Sequence, residues 1–173
     1  MIIAITGKMC SGKSTAAKYL EEKYNFKIHS FGEPVKKYAA LIFKDTTKNR
    51  PIIQDFAQKV KEIDENVWIN YLLRNIDKND NIVIDDLRFP NEYDALYTLG
   101  ATIIKIDIDD AFQICRLKQT YPDNYTCHIS RRNNISEMYI DQIKSDYVFQ
   151  LNPDSEDKMY TFMDTIINNL RNK

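Results

Sequence analysis

Met1-Ile2-Ile3-Ala4-Ile5-Thr6-Gly7-Lys8-Met9-Cys10-Ser11-Gly12-Lys13-Ser14 stands at the start of the sequence, and its two halves ask for different structures. The first five residues are almost wholly apolar, the pattern of a strand buried on both faces of a parallel sheet. Residues 7–14 then fit G-x-x-x-x-G-K-[ST] at every fixed position. Beyond Gly12, Ala16, Ala17, Leu20 and Tyr24 recur at three- and four-residue steps with Lys18, Glu21, Glu22 and Lys23 on the other face, which predicts an amphipathic helix. Strand, glycine loop and helix in this order are the setting in which the motif holds a polyphosphate. Gly7 and Gly12 admit backbone conformations that other residues resist, so that successive N–H groups and the helix N-terminus turn towards the phosphates. The expected ATP-phosphate set is Gly7, Lys8, Ser11, Gly12, Lys13, Ser14 and Thr15, with Lys13 reaching the β- and γ-phosphates and Ser14 offering its hydroxyl to Mg²⁺.

The rest of the chain alternates strands and helices. Residues 26–31 read as a second strand and residues 34–76 as a long helical insert, with Val35, Ala39 and Ile42, then Phe56, Val60 and Ile63, then Trp68, Leu72 and Ile76 on apolar stripes. Ile82-Val83-Ile84 is a third strand ending at Asp85-Asp86; a helix over 91–99 stops at Gly100, and residues 102–108 form a fourth strand. A helix bearing Phe112, Ile114, Cys115 and Leu117 leads into a polar stretch, 120–134, that reads as a mobile loop. Residues 136–143 look helical, with Ser136 an N-cap candidate, before a fifth strand at 146–151 and a closing helix over 155–170. The expected fold is α/β, a three-layer sandwich on a five-stranded parallel sheet, forming one domain over 1–173 with an insert at about 33–77 and a lid at about 118–135.

In open parallel sheets ligands bind at the carboxyl ends of strands, which puts Asp85 and Asp86 beside the phosphate loop. Either carboxylate can orient a metal-bound water, and Ser14 with Asp85 makes the metal-side pair. Arg88 follows two residues later, close enough to point its guanidinium fork at a phosphate, and Glu92 lies four residues further on. Arg116, Arg131 and Arg132 flank or occupy the polar stretch, where movable cations would cover the transferring group. Trp68 is a stacking candidate for a second substrate, although its stripe with Leu72 and Ile76 favours core packing.

Composition narrows the class. The 173 residues are 43% hydrophobic and 28% charged, and 24 Lys+Arg against 25 Asp+Glu leave a net charge of -1. That balance removes the sequence-independent attraction to nucleic acid or anionic lipid. No apolar run approaches the roughly 18 residues of a membrane span. Cys10, Cys115 and Cys127 are too scattered for a zinc site and too few for a disulfide scaffold, so they read as free thiols of a cytoplasmic protein.

The phosphate loop, the stretches Asn49-Arg50-Pro51-Ile52-Ile53-Gln54-Asp55-Phe56 and Ile63-Asp64-Glu65-Asn66-Val67-Trp68, and Ile84-Asp85-Asp86-Leu87-Arg88-Phe89-Pro90-Asn91-Glu92 together resemble the phage and large-DNA-virus deoxynucleoside monophosphate kinases. The likeness spans nearly the whole chain, and its specific parts are D-x-R-F-P-N-E and R-x-x-x-Q. It implies a nucleoside monophosphate kinase variety of the P-loop fold with a helical monophosphate-binding insert and an arginine-bearing lid. It implies that Arg88 holds the acceptor phosphate, that Asp86 helps position Mg²⁺ or the acceptor, and that Arg50 and Gln54 face the monophosphate nucleotide; Glu92 and Trp68, from their positions in the sequence, complete the expected acceptor side. Asn152, after the last strand, would border the adenine, as the matching turn does in similar kinases. Where that family often reads H-x-S-E, this chain has Asn134-Ile135-Ser136-Glu137. The implied reaction moves the γ-phosphoryl group of ATP to a deoxynucleoside monophosphate with Mg²⁺. The expected partners are these small molecules, with no nucleic acid, no membrane and a homodimer left open. Animal phosphomevalonate kinases look similar around the loop and D-x-R, and dephospho-coenzyme A kinase shares the architecture. A nucleotide-dependent switch without an acceptor is the rival of another class, and the N-K-x-D guanine-reading element is missing.

Overall fold

The computed structural model describes residues 1–43, 50–130, 132 and 135–172. In chain order, β1 (Ile2–Thr6), α1 (Lys13–Tyr24) and β2 (Lys27–His29) precede an insert of three helices, α2 (Gly32–Ile42), α3 (Arg50–Ile63) and α4 (Val67–Asn75). Then come β3 (Ile82–Leu87), α5 (Pro90–Thr98), β4 (Thr102–Ile108), α6 (Asp110–Thr120), α7 (Tyr125–Ser130) and α8 (Ile135–Met138). A 3-10 turn at Tyr139–Gln142 leads to β5 (Tyr147–Leu151) and α9 (Glu156–Arg171). The five strands are all parallel in the order β2-β3-β1-β4-β5, so the phosphate loop leaves the central strand.

Successive side chains of a strand point to opposite faces, and β1 is buried on both. Ile3 and Ile5 join Ala16, Ala17 and Leu20 of α1 and Met159, Met163 and Ile166 of α9 in one core. Ala4 meets Ile69 and Leu72 of α4, Leu96 of α5 and Ile84 of β3 in the other. This is the expected sandwich, with Gly100 in the left-handed region (φ 75°) closing α5.

Several boundaries differ from the expectation. β3 runs through the aspartate pair to Leu87 instead of stopping there. Ala4 pairs with Ile84 but Thr6 with Leu87, so Asp85 and Asp86 together stand opposite Ile5 in a β-bulge. β2 is shorter than 26–31 because Phe31 already enters the α2 N-terminus, and β5 starts at Tyr147 because the Asp146 carboxylate accepts from the Ile103 N–H at 2.7 Å. The polar stretch is not one loop: α6 continues to Thr120, and α7 forms around a buried His128 whose ring stacks on Tyr121 at 4.0 Å. No helix among the described residues is long and apolar enough to cross a membrane. The three cysteines are free thiols, as expected.

Candidate active site

Gly7 has φ 150°, and a Cβ there would lie 2.3 Å from the Ile106 carbonyl oxygen, so conformation and packing both demand glycine. Gly12 (φ 91°) turns the chain into α1. Between them Lys13 folds back over its own loop, its Nζ donating to the carbonyls of Gly7 at 2.7 Å and Lys8 at 2.8 Å. Lys13 is only 7% exposed. Burial, helped by the nearby Arg88 charge, pushes its ammonium down to about 8. The Ser11 hydroxyl is buried with no hydrogen-bond partner among the described residues, an unmet polar group inside the loop.

A cavity of about 500 Å³ opens over this loop, lined by Gly12, Lys13, Ser14 and Thr15 and walled by Asp85 and Arg116. On its floor the Ser14 hydroxyl donates to Asp85 Oδ2 at 2.9 Å. These are hard oxygen donors of the kind Mg²⁺ takes, and no cluster of three or more His, Cys, Asp or Glu suited to a metal occurs among the described residues. Such a site suits a cation that keeps most of its positions for water and phosphate oxygens.

A second cavity, about 410 Å³, lies between the sheet end and the insert, with Phe31, Val35, Ile53, Ala57, Trp68 and Phe89 as its apolar walls. Its polar lining comes from Lys36, Gln54, Lys61, Asp86, Arg88, Glu92 and Glu137. Met9, Lys36, Asp86 and Arg88 line both cavities, so the two meet there.

At the junction the two aspartates do different work, because consecutive strand residues diverge. Asp85 turns to Ser14. Asp86 Oδ1 accepts from the Phe31 N–H at 2.8 Å and Oδ2 from the Gly32 N–H at 2.9 Å, so it anchors the start of α2. Burial raises its carboxyl above the ordinary aspartate range against the pull of those donors. Arg88 Nη1 donates to Glu137 Oε1 at 2.5 Å, while the Arg88 main-chain N–H donates to Glu92 Oε2 at 2.9 Å.

Glu92 also accepts from the Phe89 N–H, at 3.0 Å, and so caps α5 from inside. It is 5% exposed, and burial raises its carboxyl to about 7. A carboxyl raised in the folded state contributes stability that is complete below its unfolded pKa and is lost as pH climbs to the folded one. Glu92→Gln keeps an oxygen for both N–H groups without a charge. Thermal melts should therefore show the wild type losing ground to Glu92→Gln between about pH 4.5 and pH 7. Glu92→Ala should be less stable than Glu92→Gln by about 1–2 kcal/mol at any pH. A wild type and Glu92→Gln with parallel pH profiles would contradict this.

The remaining expectations divide. Thr15 and Arg116 line the loop cavity, and Gln54 lines the second. Trp68 serves both of its readings: it is 6% exposed, donates through Nε1 to the Ala57 carbonyl at 3.3 Å, and walls the second cavity. The Lys8 side chain points away to Asp110 at 3.4 Å, which leaves its main chain to the loop. Arg132 is held by Gln113 Oε1 at 2.6 Å and by Asp110, and lines neither cavity. Asn152 sits in the turn after β5, its N–H bonded to Ser155 Oγ at 2.9 Å, outside both cavities. Arg131, Asn134 and the side chains of Arg50 and Ser136 lie outside the described residues. Lys36, Lys61, Phe89 and Glu137 enter the site unannounced. Two of them had a signal, Phe89 inside the D-x-R-F-P-N-E stretch and Glu137 as the end of the Asn134-Ile135-Ser136-Glu137 stretch.

Known proteins bear on this arrangement. A family profile described as "AAA domain" matches residues 3–148. A protein of Acanthamoeba polyphaga mimivirus proposed to be a deoxynucleotide monophosphate kinase is 28% identical over 145 residues, spanning 62% of this chain and 74% of the relative. ORF77 of Ictalurid herpesvirus 1 (strain Auburn), uncharacterized, is 28% identical over 112 residues, 60% of this chain. The match spans about half, 49%, of that relative's length. Among solved structures, shikimate kinase from Acinetobacter baumannii in complex with shikimate aligns with TM-score 0.60 at 14% identity over 97% of this chain and 93% of the other. Dephospho-CoA kinase from Campylobacter jejuni aligns with TM-score 0.56 at 14% identity, over 98% and 96%. With its glycine loop on the central strand of a parallel sheet, the chain has the fold of the P-loop kinases and belongs to the AAA domain family.

Proposed function

We propose that the protein is a kinase that transfers the γ-phosphoryl group of ATP to a deoxynucleoside 5′-monophosphate, giving ADP and the deoxynucleoside diphosphate. The observation that carries this is the meeting of the two cavities at Lys36, Asp86 and Arg88. One cavity is built on the phosphate loop. The other has aromatic walls suited to a flat base and a cationic end suited to a phosphate. The mimivirus relative supports the same acceptor class.

The acceptor oxygen of a monophosphate is already ionised at neutral pH, so the protein needs no general base and acts through positioning and charge. Loop N–H groups and Lys13 hold the donor phosphates, Arg88 and Lys36 hold the acceptor phosphate, and Arg116 on α6 covers the transferring group. Phe31, Trp68 and Phe89 fix the base and exclude water. Ser14 and Asp85 would hold Mg²⁺, which when bound would supply positive charge against that of the phosphates.

The test is ADP formation from ATP and Mg²⁺ against deoxynucleoside and nucleoside monophosphates, shikimate, phosphomevalonate and dephospho-coenzyme A. ADP that depends on a deoxynucleoside monophosphate is the expected result. Turnover with a metabolite alone overturns the acceptor assignment, and slow ADP release indifferent to every acceptor overturns the kinase.

A further inference from the structure

Glu137 is 4% exposed and uses both carboxylate oxygens: Oε1 accepts from Arg88 Nη1 at 2.5 Å, and Oε2 accepts from the Met9 N–H at 3.1 Å. A carboxylate this deep is stable only when paired and hydrogen-bonded. Its partners are the arginine at the cavity junction and the apex of the phosphate loop, residues from two other parts of the chain.

The two partners depend on Glu137 unequally. Met9 has a second anchor, because its carbonyl accepts from Gln113 Nε2 at 2.8 Å and Gln113 is itself fully buried. The Arg88 guanidinium has Glu137 as its hydrogen-bonded partner among the described residues. A guanidinium is a planar fork of five donors. A hydrogen bond to one of its nitrogens restrains that plane at the place where the two cavities meet.

We propose that Glu137 is a positioning residue that acts through Arg88, setting the guanidinium plane for the acceptor phosphate; this rests on the kinase reading above. The carboxylate lines the second cavity with both oxygens already committed, to Arg88 and to the Met9 N–H. Its removal leaves the loop apex on Gln113 and leaves the Arg88 fork free to rotate.

The test is steady-state kinetics of the full chain with an acceptor that the wild type uses. Glu137→Gln offers one oxygen where two are needed, and should lower kcat/KM for the acceptor about 10–100-fold while KM for ATP changes less than about threefold. The same substitution is then made in Arg88→Lys. An ammonium is a point charge with no plane to set, so there Glu137→Gln should cost less than about threefold more. An acceptor kcat/KM equal to wild type overturns the proposal. So does a loss in KM for ATP that matches the acceptor loss, which would put the effect through Met9. A full additional loss in the Arg88→Lys background overturns it too. Circular dichroism checks the fold, and Glu137→Asp, which keeps the charge, carries the same cycle if the Gln variant does not fold. A wild type that uses no acceptor overturns the kinase reading and this proposal together; one that turns over while ignoring Glu137→Gln overturns this proposal alone.

Discussion

Lys13→Ala should lower kcat about a thousandfold in the ADP assay, with the melting temperature close to wild type. The ammonium is held over the loop by the carbonyls of Gly7 and Lys8, groups that phosphate oxygens outbid once a polyphosphate arrives. A preorganised cation in a water-poor cleft is worth several kcal/mol where charge develops, and a thousandfold corresponds to about 4 kcal/mol. The pH dependence adds a second check. With Lys13 lowered to about 8 in the free protein, its charge fades above that pH, so wild-type kcat/KM for ATP should fall roughly tenfold per unit beyond it. Bound phosphates favour the charged form, so kcat should hold to higher pH. Activity above a tenth of wild type in Lys13→Ala, or profiles of kcat and kcat/KM that break together near 8, would refute this account.

Arg88→Ala is expected to cost about a thousandfold in kcat/KM for the acceptor, on the scale of other arginines that stabilise phosphoryl transfer. It should also destabilise the protein by about 3 kcal/mol, because Glu137 is left buried without its partner. The two effects separate in the double variant Arg88→Ala/Glu137→Gln, which removes the orphan charge. Melting temperature should recover and activity should not. If activity returns with stability, the pair is a structural ion bridge and the acceptor role is wrong.

The legible part of the site is the part written locally. Eight consecutive residues set the phosphate loop, and the apolar runs at Ile2–Thr6 and Thr102–Ile108 read directly as buried strands. Arg88 was found because it lies two residues from Asp86 on the same strand end. Glu137 escaped because its contact with Met9 spans 128 residues, and nothing in its neighbours marks it as buried. Lys36 escaped because a lysine in the first half of a helix normally faces water. Asp86 stands out as a strand-end carboxylate, but its bonds go to the main chain of Phe31 and Gly32, which carry no side-chain signal. The short α7 escaped because a helix of six residues shows no apolar period; one buried His128 holds it.

The extra residue in β3 governs what this site can tolerate over evolutionary time. Side chains on a strand have a period of two, so one surplus residue would invert the phase of everything after it if the bulge did not absorb it. Ile82, Ile84 and Leu87 all point into the same core, although Leu87 lies three positions after Ile84, an odd step. Deleting either aspartate would bring Leu87 to two residues from Ile84, in regular pairing with Thr6 and still in that core, with Arg88 on the same side of the sheet. The surplus residue therefore leaves the frame of the strand unchanged and gives its end two carboxylates with separate duties, and a homologue with a single residue there keeps core and arginine but gives up either the Ser14 contact or the anchor of α2.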